Sequence, residues 1–194
     1  PVIGNALEVT EAGAYLTGQR QDPRLHQVVL ALGSELLVTA GITPDQDQAR
    51  RKLEKVLAEG SAAECFNKMV ASLGGPSGFL EQTDQYLPKA PVIVEVSAKT
   101  SGVVSSINTR ALGLALLRLG GGRQKPDDDV DPVVGFDQCR RVGEEVDRGS
   151  LLCRIHARDP DQAASVLSDV QRAIVVSDHT PKNSPVVVSV LEGT

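Results

Sequence analysis

Tryptophan is missing from this 194-residue chain, methionine occurs once, at Met69, and the aromatic rings are limited to Tyr15, Phe66, Phe79, Tyr86 and Phe136. So few flat rings leave no platform on which the bases of a single strand could stack. Positive charge is also in short supply: 20 Lys and Arg against 25 Asp and Glu give a net charge of -5, which argues against a phosphate-backbone partner, so no nucleic acid is expected. Cysteine is sparse and odd in number. Cys65, Cys139 and Cys153 form no CxxC pair and no Cys/His spacing, which disfavours a disulfide framework and a zinc site and makes reduced thiols, and hence a cytoplasmic setting, the default. No run approaches the roughly 20 apolar residues of a membrane span, and no basic, apolar leader opens these residues. The three histidines, His26, His156 and His179, are scattered and lack the neighbours of a triad or metal pair.

Apolar residues nonetheless make up 41% of the chain, mostly Leu, Val and Ala, enough for a core in one domain or two small ones. To about Gly75 the pattern is helical. Leu7, Ala12, Tyr15 and Leu16 share a stripe that Gly18 closes as a C-terminal cap. Asp22 and Pro23 occupy the N-cap and N1 positions of a strongly apolar helix from Pro23 to Ala40, expected to be buried on most sides. Thr43-Pro44-Asp45-Gln46 and Ser61-Ala62-Ala63-Glu64 have the capping-box pattern and open helices to about Glu59 and Leu73. From Gly74 to Pro91 glycine and proline punctuate what reads as a surface connection and a domain boundary. Beyond it the period changes to two: Pro91 to Ala98 and Gly102 to Ile107 alternate as strands, with shorter strands at Val133 to Phe136 and Leu151 to Ile155. Asn108 caps a helix through Leu119, and Asp159-Pro160-Asp161-Gln162 opens another through about Ile174. The class is α+β.

Gly120-Gly121-Gly122-Arg123 invites a phosphate-loop reading, but the run follows a helix and therefore faces its negative, carbonyl end, so a C-terminal cap and turn is expected. Asp127, Asp128, Asp129 and Asp131 lack the Gly and bidentate Glu spacing of a calcium loop and read as a solvated acidic loop, or as partners for nearby arginines. His26, in an apolar helix, reads as a satisfied structural histidine; His156, at a strand end, as a group capping a carbonyl; His179 has no partner that the sequence identifies. Glu8 and Glu11, three apart, put favourable acidic charge near a helix N-terminus.

Val142 to Leu152 (VGEEVDRGSLL), with Lys99 to Val104 (KTSGVV), is similar in strand and turn grammar to biotinyl and lipoyl carrier domains. A carrier needs an acylatable lysine shortly after its last strand, where this chain has Ile155-His156-Ala157-Arg158-Asp159. The likeness therefore implies a barrel-sandwich hybrid fold without the carrier function.

Gly4 to Ala12 (GNALEVTEA) and Leu112 to Gly135 (LGLALLRLGGGRQKPDDDVDPVVG) closely resemble the C-terminal part of the pyrimidine nucleoside phosphorylase family, in its bacterial, thymidine-cleaving branch, and the resemblance extends over nearly the whole chain. It implies a helical segment of the family's large α/β domain over 1–80, followed by a barrel-sandwich-like C-terminal module with inserted helices over 91–194. The activity it implies is reversible phosphorolysis of thymidine or deoxyuridine, a pentosyl transfer with phosphate as co-substrate and no required cofactor, in a cytoplasmic homodimer. In the family a potassium-type monovalent cation is held by loop carbonyls just before the GNALEV block and by the second glutamate of LEVxEA, which correspond here to Val2 and Glu11. The groups that hold phosphate and pyrimidine lie upstream in the family, so no catalytic or substrate-binding residue is assigned to this chain. It starts three residues before GNALEV and without an initiator Met; the expectation is a fragment, inactive alone and at most loosely associated once its N-terminal half is missing. The alternatives are a non-catalytic binding module derived from such an enzyme, and a broader phosphorylase acting on uridine or AMP.

Overall fold

The computed structural model describes residues 1–182 and 185–190. Compactness divides them between two units, one of residues 1–10 with 87–182 and one of residues 11–86 with 185–190.

The second of these is helical. It takes the C-terminal half of α1 (Asn5–Leu16), then α2 (Pro23–Thr39), α3 (Gln46–Ala58), α4 (Ser61–Ser72), a 3₁₀ turn at Phe79–Gln82 and the single turn α5 (Thr83–Tyr86). Gly18 ends α1 in the left-handed conformation, φ 72°, with its N–H donating to the Tyr15 carbonyl at 3.2 Å. Asp22 caps α2, its carboxylate accepting the N–H groups of Arg24 and Leu25 at 3.0 Å each, and Pro23 takes N1, where the donor it lacks would be unused.

Three expectations for this region need correction. The cap of α3 is Asp45, not Thr43: Asp45 accepts the Gln48 N–H at 2.8 Å while the Gln48 side-chain amide returns to the same carboxylate at 2.8 Å. The box is therefore Asp-x-x-Gln, shifted two residues along. Asp45→Ala should cost about 1 kcal/mol, whereas Thr43→Val should cost nothing measurable, because the buried Thr43 hydroxyl has no hydrogen-bond partner to lose. Urea unfolding of the two variants checks this; the reverse order would return the cap to Thr43. Likewise Ser61 is the first residue of α4, with left-handed Gly60 (φ 77°) at the N-cap, and its hydroxyl donates back to the Val56 carbonyl.

The second correction concerns α2, in which only Leu30 and Ser34 are buried. Leu32 and Leu36, four apart and so on one face, are 68% and 69% exposed. The helix α3 packs over Gly33, where an added Cβ would meet Leu53 Cδ1 at 2.8 Å. Third, the segment after α4 is more than a surface connection. Phe79 and Leu80 are buried, the Asn67 side-chain oxygen accepts the Leu80 N–H at 2.9 Å, and the Phe79 ring stacks on Tyr86 and leans on Phe66, with centroids 6.0 and 6.2 Å apart.

The other unit holds β1 (Val92–Ser97), β2 (Gly102–Ile107), α6 (Thr109–Arg118), β3 (Gly135–Asp137), β4 (Glu145–Val146), β5 (Leu151–Ala157), α7 (Pro160–Ala173) and β6 (Ile174–Ser177). They form two antiparallel three-stranded sheets, ordered β1-β5-β3 and β4-β2-β6. The α+β class stands; the barrel does not close, since each sheet ends after three strands. The strand β6 adds to the strands expected from the sequence. Ile174 leaves α7 in an extended conformation (φ -106°, ψ 102°) and pairs with Ile107, while the Asn108 N–H donates to Ala173 O at 2.8 Å. One core serves both sheets and both helices. Val96, Val104, Leu119, Val134, Phe136, Ile155, Val166 and Val170 are all wholly buried in it, and removing Phe136 alone from water is worth about 2–3 kcal/mol. Among the described residues no helix is long and apolar enough to cross a membrane.

Candidate functional site

The two stretches singled out in the sequence, Gly4 to Glu8 and Gly120 to Gly135, come together at one place. Ile3 pairs with Phe136 as an antiparallel bridge, N–H to O at 2.8 Å and 2.7 Å in the two directions. Gly4, at φ 134°, crosses Gly135 so closely that a Cβ on Gly4 would lie 2.6 Å from Val134 O, and one on Gly135 would lie 2.4 Å from Ile3 O. Only glycine fits at either side of that crossing. Asn5 then donates its side-chain amide to Gly121 O at 3.1 Å, Ala6 N–H donates to Pro132 O at 3.0 Å, and Glu8 Oε1 accepts the Gly4 N–H at 3.0 Å. Each polar residue of Gly4-Asn5-Ala6-Leu7-Glu8 thus closes a backbone contact, and the block anchors the start of the chain to β3 and to the turn after α6.

The glycine run is the C-terminal cap expected of it. Gly120 is left-handed (φ 83°) and donates to Leu117 O at 3.0 Å, and Gly121 donates to Leu116 O at 3.0 Å. The Gly120 and Gly121 amides are used inside the turn, so they are not aimed at an anion. In the acidic loop, Asp128 accepts the N–H groups of Gln124 and Lys125 at 3.0 and 2.8 Å, and Asp131 makes a two-pronged pair with Arg158 at 2.7 and 2.8 Å. The Arg158 guanidinium holds the Asp131 carboxyl below its ordinary range.

A second charged group joins residues that the sequence leaves unconnected. Asp137 at the end of β3 faces Arg154 and His156 on β5, because the register pairs Asp137 with Arg154. Arg154 Nε donates to Asp137 Oδ1 at 2.7 Å and its terminal nitrogen to Oδ2. His156 Nε2 lies 3.1 Å from Oδ1, near enough for charge interaction but out of line for a hydrogen bond. Burial pushes the Asp137 carboxyl up; His156 and Arg154 outweigh it and hold the group well below the usual carboxylate range. His156 is therefore a buried partner of a carboxylate rather than a cap on a carbonyl. The alternation of Arg154 and His156 puts both on one strand face in the sequence, but their partner is 17 residues or more away and only pairing reveals it.

His26 is structural as expected, its Nδ1 2.8 Å from the Tyr15 hydroxyl. His179 lies beyond β6, where its N–H donates to Ser177 Oγ at 3.3 Å. Glu11 faces Arg20 at 3.4 Å. Val2 belongs to the other compact unit and sits just before the Ile3–Phe136 bridge. Among the described residues no group of three or more His, Cys, Asp and Glu side chains could hold a metal ion.

A cleft of the strand-containing unit, about 560 Å³, is lined by Ser101, Val103, Glu145, Asp147, Ser150 and Asp178 among others. Three carboxylates and no cation make it repellent to phosphate. The described residues bring together a glycine crossing, a helix cap, two arginine–carboxylate clamps and a common core.

Residues 103–177 match the family described as the pyrimidine nucleoside phosphorylase C-terminal domain. Over those residues the chain is similar to that family's C-terminal domain. It is 42% identical over 184 residues to a thymidine phosphorylase of Colwellia psychrerythraea, and 45% identical over 178 residues to a thymidine phosphorylase of Burkholderia cenocepacia. These alignments take in 95% and 92% of this chain but 42% and 41% of the relatives, so the chain spans about two-fifths of the length of the curated relatives it matches. Within the matched residues α6, α7, β3, β4, β5 and β6 are complete and β2 lacks its first residue, Gly102, while β1 and the Gly4–Glu8 anchor lie before the first matched residue.

Proposed function

We propose that this chain is the C-terminal part of a thymidine phosphorylase, a pentosyltransferase of pyrimidine metabolism. In the reaction phosphate attacks the anomeric carbon of thymidine or deoxyuridine, the glycosidic bond breaks, and free base and 2-deoxyribose 1-phosphate are released, reversibly. The observation that carries the reading is identity of 42–45% over nearly the whole chain to enzymes of that name. Such chemistry needs a phosphate site, donors that stabilise charge on the departing pyrimidine, and closure against water. The glycine run and acidic cleft described above supply none of these. We therefore assign the chain a scaffold role, with 1–80 as the helical part of a central α/β domain, 91–194 as the C-terminal domain, and the reacting groups on residues outside it, in a cytoplasmic homodimer. A potassium ion at Glu11 would likewise need its remaining oxygens from outside this chain.

The test compares the 194-residue chain with a longer gene product that ends in it. Phosphate-dependent release of thymine from thymidine is expected from the longer protein and not from the chain alone. Turnover by the chain alone would overturn the scaffold role. A longer product preferring uridine would favour a broader pyrimidine nucleoside phosphorylase, and one that turns over neither nucleoside would favour a non-catalytic binding module.

A further inference from the structure

Cys139 and Cys153 are 14 residues apart, and nothing in their spacing relates them; strand pairing makes them neighbours. The register of β3 with β5 runs Phe136 to Ile155 and Asp137 to Arg154. Pairing resumes where Arg140 N–H donates to Leu152 O at 2.7 Å. Between those points β5 has one residue, Cys153, and the facing chain has two, Gln138 and Cys139. Gln138 is left-handed, φ 48°, the one such non-glycine among the described residues. Two residues against one, with a backbone kink at the first, is a β-bulge, and it sets Cys139 against Cys153. Facing residues of adjacent antiparallel strands have Cβ atoms roughly 4.5–5.5 Å apart, a short movement from the roughly 3.5–4.5 Å of a disulfide.

The surroundings differ in a way that orders the chemistry. Cys153 is wholly buried, Cys139 half-buried, and both are free thiols. Their mutual interaction draws the Cys139 thiol down despite the opposing effect of burial, and pushes the Cys153 thiol up. Side chains alternate along a strand, so Cys153 points away from the face that carries His156, and among the described residues no group of three or more His, Cys, Asp and Glu side chains could hold a metal ion.

We propose that Cys139 and Cys153 form an oxidisable dithiol, converted to a cross-strand disulfide by a low-molecular-weight disulfide of the glutathione class. The Cys139 thiolate attacks one sulfur of the small disulfide and expels the other as a thiolate, which takes up the proton Cys139 gave away, leaving a mixed disulfide on Cys139. The Cys153 sulfur then attacks Cys139 Sγ, the protein disulfide forms, and the second small thiol leaves with the Cys153 proton. Two protein thiols are oxidised and one small disulfide is reduced to two thiols. The product covalently ties the chain after β3 to β5, inside the core of the C-terminal domain.

The experiment uses the full 194-residue chain carrying Cys65→Ser, since exposed Cys65 would react independently. It is equilibrated under native conditions with oxidised and reduced glutathione, alkylated, and mapped by mass spectrometry. Expected is complete loss of both alkylatable thiols with a Cys139–Cys153 linked peptide and no retained glutathione, reversed by reductant. With Cys153→Ser added, a stable glutathione adduct at Cys139 is expected; with Cys139→Ser instead, none at Cys153. Both thiols remaining alkylatable, or a lasting adduct at Cys139 in the Cys65→Ser protein without the linked peptide, overturns the proposal. The deciding readouts come from a protein altered only at an exposed site, so the test stays decisive even where a double variant misfolds.

Discussion

Gly135→Ala is expected to destabilise the strand-containing unit by about 3 kcal/mol, the upper part of the range for forcing atoms into a packed site. The added methyl would sit 2.4 Å from Ile3 O and 3.1 Å from Gly4 Cα, and 2.9 Å from Leu7 Cδ1. The first two are backbone atoms, which cannot rotate away, so relief requires undoing the Ile3–Phe136 bridge. Gly4→Ala should behave similarly, with the further cost of a side chain at φ 134°. Gly113→Ala is the control. That glycine lies inside α6 with nothing near its Cβ position, and its replacement should add about 0.5–1 kcal/mol of stability through helix propensity. Urea unfolding followed by circular dichroism measures all three. A Gly135→Ala protein as stable as wild type would mean that the crossing is not tight and that Gly4 to Glu8 does not anchor the start of the chain.

Asp137→Asn should cost about 2–3 kcal/mol near neutral pH, somewhat below the range for breaking a fully buried ion pair because Arg154 keeps 29% of its side chain in contact with solvent. The amide is nearly the same size, so the loss reports charge rather than volume. Its pH dependence gives a separate check. The folded-state pKa of Asp137 is depressed, so between the unfolded value near 3.9 and the lower folded value it is the unfolded chain that binds the extra proton. Stability from this group is complete above the unfolded pKa and is lost as pH falls toward the folded one. The gap between wild type and Asp137→Asn should therefore narrow from about pH 5 to about pH 2. A gap that stays constant over that interval would show that the carboxylate is not stabilised by its neighbours.

Much of the local structure is legible from residue order, and for identifiable reasons. Caps read well where a side chain bonds to its own helix. Asp22, Asn108 and Asp159 all accept an N–H two or three residues on, and such bonds depend on nothing distant. The cap of α3 is harder to place because Thr43 and Asp45 both start a pattern three residues ahead of a Gln, and choosing between them depends on which residue the surrounding fold buries. The strand β6 is hidden since Ile174-Val175-Val176 continues the apolar run of α7, and only Ile107 and its neighbours, nearly 70 residues earlier, supply the partner that straightens it.

The site shows the same division. From the sequence alone follow the α+β class, the reading of the glycine run as a cap, the structural role of His26 and the family to which the GNALEV block points, since each rests on residues close in the chain or on a pattern shared with relatives. Tertiary structure alone decides that Gly4 must cross Gly135, that Asp137 meets Arg154 and His156, and that Cys139 faces Cys153. Those contacts join strands or turns separated by 14 to 131 residues, and the register of strand pairing that creates them is set by burial of the common core, which no local stretch of sequence encodes.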